Sequence, residues 1–156
     1  NTWAMAAGIA ALEVIYEENL PEKARVNGAY LLQQLKELQK KYPLLKDVRG
    51  HGLMIGLEFN QSDSLAGKVT FGLTDKLSRE YLGSLVAGEL LNKYHIITAY
   101  TLNNPNVIRL EPPLNVTREE LDTLLNALDQ ILSANKSFFS MAASGAKTML
   151  KSLIKK

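Results

Sequence analysis

The 156-residue sequence contains no cysteine and only two histidines, His51 and His95, and these shortages exclude several kinds of site. Without cysteine the chain cannot form a disulfide, a thiol nucleophile or a thiolate metal site. Neither histidine has a metal-ligand partner at a useful spacing, so we predict no metal site. The nucleophile motif GxSxG is also missing, and Gly50-His51-Gly52 lacks the GxGxxG continuation into a helix.

An excess of one charge and a long hydrophobic run are missing as well. The formal net charge is only +2, which gives no reason to expect nucleic acid binding. The apolar run at residues 1–12 stops at Glu13, short of the roughly 20 residues of a membrane span. It also lacks the charged start of a secretion signal. The missing cysteines favour a reducing compartment, so we expect a cytoplasmic protein.

Hydrophobic periodicity predicts a mixture of helices and strands. The order is typical of an α+β fold: a small, mainly antiparallel, three-stranded sheet covered by helices. Residues 60–72 are polar and contain glycine, so we predict a loop there. We predict helices at about residues 2–18, 21–41, 74–93 and 118–132, and strands at 53–59, 95–101 and 107–111.

Three of these helices carry more specific information. The first is apolar almost all round, from Trp3 to Ile15, and we infer that a partner domain or subunit covers it. In the second, Gly28 costs helix stability, and we expect it to permit a close approach of another backbone segment. The fourth begins with a capping box formed by Thr117 and Glu120.

The last 24 residues, 133–156, form a basic tail, since no acidic residue follows Asp129. Its serine, alanine and glycine residues lower its tendency to form a helix. We interpret it as a linker or a loosely packed terminal helix. A membrane-surface or calmodulin-type segment is the alternative that its lysines and apolar residues leave open.

Arg109 is the candidate binding residue. Strand alternation in Val107–Glu111 places Ile108 and Leu110 on one face and Arg109 on the other. A guanidinium presents a planar fork of donors that matches a carboxylate. From the local pattern alone, a structural ion pair with Glu111 or Glu58 is the better interpretation.

The stretch AYTLNNPNVIRLEPPLNVT resembles the C-terminal part of putrescine aminotransferase-like enzymes. These belong to the class III pyridoxal-phosphate-dependent aminotransferases. The segments NTWAMAA and VRGHGLM, and the break at Asn19-Leu20-Pro21, are similar to other parts of that family and occur in the same order. The resemblance covers about residues 1–132 and leaves 133–156 as a basic tail or linker.

The resemblance implies that residues 1–132 are the C-terminal small domain of a fold type I enzyme, a homodimer or larger. Pyridoxal 5'-phosphate and the catalytic lysine then belong mainly to a large domain upstream of Asn1, which we expect to be a cut point or processed end. The chain holds no catalytic residue by this interpretation, its cofactor contacts are unknown, and it is inactive alone.

The resemblance also changes the interpretation of Arg109, which corresponds to the arginine that binds the carboxylate of the acid substrate. It implies amino transfer between an amine or amino acid, of the diamine or omega-amino type, and 2-oxoglutarate. The alternative is a stand-alone, non-catalytic α+β binding or assembly module, which would cover its first helix internally.

Overall fold

The fold follows the predicted order of elements, with one additional strand. The computed structural model describes residues 1–60, 73–101, 103–135, and a few residues between 140 and 147. Its elements are α1 (Thr2–Glu17), α2 (Leu20–Lys41), β1 (Leu45–His51), β2 (Met54–Phe59), α3 (Leu73–Tyr94), β3 (Ala99–Tyr100), β4 (Val107–Leu110) and α4 (Arg118–Ala134). The predicted loop at 60–72 lies outside the described residues except for Asn60.

The sheet is antiparallel throughout the described part of the chain, and its strand order is β1-β2-β4-β3. The α+β class with helices on an antiparallel sheet is confirmed, but the sheet has four strands rather than three. The additional strand is β1, where a bulge between Leu45 and Asp47 interrupts the alternation of buried and exposed residues. That interruption hides the period of two by which a strand is recognised.

The strand predicted for residues 95–101 is shorter than expected, and this part of the prediction was wrong. β3 contains only Ala99–Tyr100. His95 has a left-handed backbone (φ 57°), and its N–H donates to the carbonyl of Leu91. The N–H of Ile96 donates to the carbonyl of Leu90. Residues 95 and 96 therefore close the end of α3, although isoleucine is typical of strands.

The core lies between one face of the sheet and helices α2, α3 and α4. Ile55, Leu57 and Phe59 of β2 point to this side and are at most 2% exposed. The helices meet them with buried leucines at helical spacing, such as Leu31 and Leu35 of α2. The alternation in β2 therefore leaves its other face turned away from the helices.

The first helix contrasts with the other three, because none of its residues is buried. Trp3 is 85% exposed and Leu12 is 67% exposed. The side chain of Asn1 caps the helix by accepting hydrogen bonds from the N–H groups of Trp3 and Ala4. No helix among the described residues has the length and apolar character needed to cross a membrane.

Helix α2 rests on the turn between β1 and β2 through a direct backbone contact. A Cβ atom added to Gly28 would lie 2.1 Å from the carbonyl oxygen of Gly52. Gly52 itself has a left-handed backbone, with φ of 55°. The expectation that Gly28 permits a close backbone approach is confirmed, and the contact ties α2 to the turn between β1 and β2.

The described residues of the basic tail pack on the helices. Met141 is completely buried in the hydrophobic core. The Nζ of Lys93 in α3 lies 3.1 Å from the Oγ of Ser144. The terminal residues 148–156, which carry most of the apolar and basic character behind the membrane-surface alternative, lie outside the described part.

Candidate functional site

The face of the sheet that points away from the helices carries most of the charged strand residues, and we call it the open face. Antiparallel pairing places Arg49 opposite Gly56, Gly56 opposite Arg109, and Arg109 opposite Ala99. Paired residues in an antiparallel sheet point to the same side. One row across the open face therefore contains two arginines, separated by a glycine and followed by an alanine.

Arg109 occupies a roomy position in this row. Its side chain is 48% exposed. Its neighbours on the two adjoining strands are small: Gly56 has no side chain, and Ala99 has only a methyl group. Its Nη1 atom lies 3.6 Å from Oε1 of Glu111, which is 43% exposed. That distance exceeds a normal hydrogen bond, so the planar fork of donors is available to another anion.

Arg49, the other arginine of the row, is held by carboxylates of its own protein. Its Nη1 atom lies 2.5 Å from Oδ2 of Asp47 and 2.9 Å from Oε2 of Glu58. Lys46 makes a further ion pair of 2.7 Å with Glu58. The hydrogen bonds from Lys46 and from Arg49 hold the pKa of Glu58 below its ordinary value, against the opposing effect of burial. These contacts identify Arg49 as a structural residue and distinguish it from Arg109.

The alternative interpretation of Arg109 as part of a structural ion pair is therefore supported only by one weak contact. Of its two proposed partners, Glu111 is near Arg109 at 3.6 Å, whereas Glu58 lies on β2 and pairs with Lys46 and Arg49. A half-exposed ion pair at this distance contributes about 0–1 kcal/mol. Arg109 therefore has no strong structural role among the contacts of the described residues.

A hollow of about 430 Å³ has Glu111 on its wall, and Arg109, which does not line the hollow, lies 3.6 Å from Glu111. The pairing of Ile55 with Leu110 brings the next residues, Met54 and Glu111, to neighbouring positions, and both line the hollow. Pro112 and Leu114 add apolar wall, and His51 lies at the end of β1. The volume is within the range of about 300–1,000 Å³ typical of small-molecule sites.

The remaining candidate residues are not brought together. His95 lines a second hollow of about 510 Å³, which shares Glu111 and Pro112 with the first hollow but does not include His51 among its lining residues. In the described part of the chain, no group of three or more His, Cys, Asp or Glu side chains is suited to hold a metal ion. The site thus consists of Arg109, its acidic neighbour Glu111 and the adjoining hollow.

Sequence reasoning missed the neighbours that give Arg109 its space. Gly56 and Ala99 precede it by many residues, and no local pattern links them to it. Only the strand register places them beside the guanidinium. Glu111 was found as a possible ion-pair partner, but its place at the wall of a hollow was not.

Comparison with known proteins gives a consistent result. The family described as Aminotransferase class-III matches residues 1–132. The ornithine aminotransferase of Exiguobacterium sp. is 37% identical over 133 residues, which are 85% of this chain and 27% of the relative. The putrescine aminotransferase of Pectobacterium atrosepticum is 34% identical over 133 residues, 85% of this chain and 24% of the relative.

A solved structure agrees with these sequence relatives. An amine transaminase from an uncultivated Pseudomonas species, in its PLP-bound form, superposes with a TM-score of 0.64 at 32% identity. The match covers 82% of this chain and 26% of the transaminase. The chain spans about a quarter of the length of the curated relatives it matches.

Proposed function

The chain belongs to the class III aminotransferases, and we propose that residues 1–132 form the C-terminal small domain of a longer pyridoxal-phosphate-dependent enzyme. The enzyme transfers an amino group between an amine or amino acid, of the diamine or omega-amino type, and 2-oxoglutarate. The relatives named as ornithine and putrescine aminotransferases support this substrate class. Residues 133–156 extend beyond the family match as a basic tail.

Arg109 binds the carboxylate of the acid substrate in this proposal. The observation that carries it is the contrast between the two arginines of one row: Arg49 is held by two carboxylates at 2.5 and 2.9 Å, whereas Arg109 has one at 3.6 Å. A bidentate guanidinium–carboxylate contact fixes both position and orientation. The acid is thereby held so that its reacting carbon meets the cofactor in a defined geometry.

Pyridoxal 5'-phosphate, when bound, supplies the electron sink for amino transfer, and such enzymes hold it through a lysine and an acidic partner of the ring nitrogen. In the described part of the chain, Lys46 of β1 is a lysine at the open face. Its Nζ atom is already paired with Glu58 at 2.7 Å. The described residues thus fit the substrate side of the site and not the cofactor lysine. The lysine belongs to the large domain in this proposal.

The exposed first helix supports a larger assembly. A stand-alone module would cover α1 internally, yet none of its residues is buried. Burying a large apolar side chain contributes roughly 1.5–3 kcal/mol, so Trp3, Ile9 and Leu12 form a favourable contact surface. We propose that the large domain or a second subunit of a cytoplasmic homodimer covers this helix.

The test is steady-state kinetics of the full-length enzyme with Arg109→Ala and Arg109→Lys. A charge-assisted hydrogen bond contributes about 1.5–3 kcal/mol, so Arg109→Ala should reduce kcat/KM for 2-oxoglutarate roughly 10- to 100-fold. Arg109→Lys should recover only part of this loss, because an ammonium lacks the planar fork. Arg49→Ala, in the same row, is the matched control and should leave the 2-oxoglutarate dependence nearly unchanged. Unchanged 2-oxoglutarate kinetics in Arg109→Ala would reject the role.

A further inference from the structure

The open face places two opposite charges side by side where the proposed reaction needs both. Arg109 and Glu111 are two residues apart on the same side of the chain, and their charged atoms lie 3.6 Å from each other. Both side chains are about half exposed, so each can exchange its partner for a ligand. A site with one charge of each sign can take an anionic and a cationic substrate in turn.

We propose that Glu111 recognises the non-reacting ammonium of a diamine donor, in a site where Arg109 recognises the carboxylate of the oxo acid. This proposal rests on the proposed function, because it assigns the amino donor of the same reaction. It makes Glu111 a specificity-determining residue rather than a catalytic one.

The hollow beside Glu111 suits the rest of such a donor. Its walls include the apolar side chains of Met54, Pro112 and Leu114, next to the carboxylate of Glu111. A short aliphatic diamine has the same distribution, with an apolar chain that ends in a cation. Apolar walls with a small number of polar groups that fix orientation are typical of small-molecule sites.

The cation on the wall of the hollow does not oppose this assignment. Arg25 lines the hollow, but its Nε and Nη2 atoms lie 2.7 and 2.6 Å from the two carboxylate oxygens of Glu22. This bidentate pair raises the pKa of Arg25 and lowers that of Glu22. The Arg25 charge is thus neutralised locally, whereas the looser contact of Glu111 with Arg109 leaves its carboxylate oxygens able to accept hydrogen bonds from an ammonium.

Glu111 also reduces the electrostatic repulsion between Arg109 and the ammonium of a diamine. A diamine carries no carboxylate, and an unpaired Arg109 would repel its ammonium. Two like charges about 4 Å apart near a protein surface repel by several kcal/mol at an effective dielectric constant of about 20. Glu111 neutralises Arg109 while the amine is bound and offers its own carboxylate to the cation.

The experiment compares Glu111→Gln with the wild type in the full-length enzyme, with 1,4-diaminobutane and 1-aminobutane as alternative donors to 2-oxoglutarate. The variant should lose roughly 10- to 100-fold in kcat/KM for the diamine, as expected for one charge-assisted hydrogen bond. The monoamine, which has no second ammonium, should change less than threefold. Glu119→Gln, an exposed position in the first turn of α4, is the matched control and should behave as the wild type.

Several outcomes would overturn the assignment. An equal loss of kcat/KM for both amines, or no loss for either, would show that Glu111 does not recognise the second ammonium. A rise in KM for 2-oxoglutarate without a diamine effect would show that Glu111 only positions Arg109. A wild-type enzyme that accepts amino acids but no diamine would also overturn the assignment, whereas one that transfers no amino group from any amine or amino acid would reject the proposed function, which Arg109→Ala tests separately.

Discussion

Replacing Gly28 with alanine tests how tightly α2 is held against the turn that borders the open face. The added Cβ would lie 2.1 Å from the carbonyl oxygen, 2.2 Å from the carbonyl carbon and 2.6 Å from the Cα of Gly52. All three atoms belong to the backbone, so no side-chain rotation can relieve the overlap. Gly52 is itself in a left-handed conformation, which glycine adopts without steric cost.

The magnitude follows from two opposing effects. Alanine in place of glycine favours a helix interior by about 0.8–1.0 kcal/mol. Reaching an ordinary contact of 3.4 Å requires α2 and the turn to move apart by more than 1 Å. Overpacking typically costs about 1–3 kcal/mol, and a backbone-to-backbone clash belongs at the upper end. We therefore expect a net loss of about 2 kcal/mol in the free energy of unfolding.

The assay is urea and thermal unfolding of the chain, with Gly88→Ala as the matched control. Gly88 also lies inside a helix, but an added Cβ there would meet no atom within 4 Å. For a chain of this length 1 kcal/mol shifts Tm by about 2–4 °C, so Gly28→Ala should lower Tm by about 4–8 °C. Gly88→Ala should raise it by about 2–4 °C. If both variants shifted Tm upwards, the close contact of α2 with the turn would be refuted.

Three further substitutions test the open face and the tail. Because the pKa of Glu58 is depressed in the folded protein, the stability that its ion pairs contribute should be complete above pH 4.5 and disappear as the pH falls through the lower folded value. Glu58→Gln should therefore be less stable at pH 7 and show a weaker loss of stability below pH 4.5 in thermal unfolding; parallel acid profiles for variant and wild type would contradict this. Met141→Ala should lower the free energy of unfolding by about 2–5 kcal/mol, as expected for a fully buried methionine. Ser144→Ala, which removes a hydroxyl that accepts a hydrogen bond from Lys93, should change it by less than about 1 kcal/mol. Equal small effects of these two substitutions, measured by urea unfolding, would show that the tail does not complete the core.

The helices were predictable because their evidence is local. The capping box at Thr117 and Glu120 is present, with Thr117 Oγ1 accepting from the N–H of Glu120 at 3.2 Å. The break near Asn19 separates α1 from α2 as expected, since Asn19 adopts a left-handed backbone before Pro21. Each of these features depends on residues within one helical turn.

The strands were predicted less well because their evidence is shared between distant segments. β2 and β4 show the alternation or apolar content of a strand and were found. β1 carries a bulge, and only Leu45 and Val48 in it are buried. Its place in the sheet depends on pairing with β2, which its own pattern does not reveal.

The exposed helix α1 shows where composition and structure agree. A sequence that is apolar on almost every side indicates a partner, and the structure leaves Trp3, Ile9 and Leu12 without cover from the described residues of the chain. The sequence relatives, of which this chain spans about a quarter, are longer proteins, and a partner that covers this helix is part of the proposed function.

The sequence by itself determined the helical segments, the α+β class and the similarity to class III aminotransferases, because periodicity, caps and motifs each depend on a short stretch of chain. Only the tertiary structure decided that Arg49 is paired closely with two carboxylates and Arg109 only loosely with one. Gly56 and Ala99 reach Arg109, and Glu58 reaches Arg49, through strand pairing. Register depends on how segments far apart in the chain pack on a common core, so the neighbours of a side chain across a sheet are fixed by the fold and not by the residues beside it in sequence.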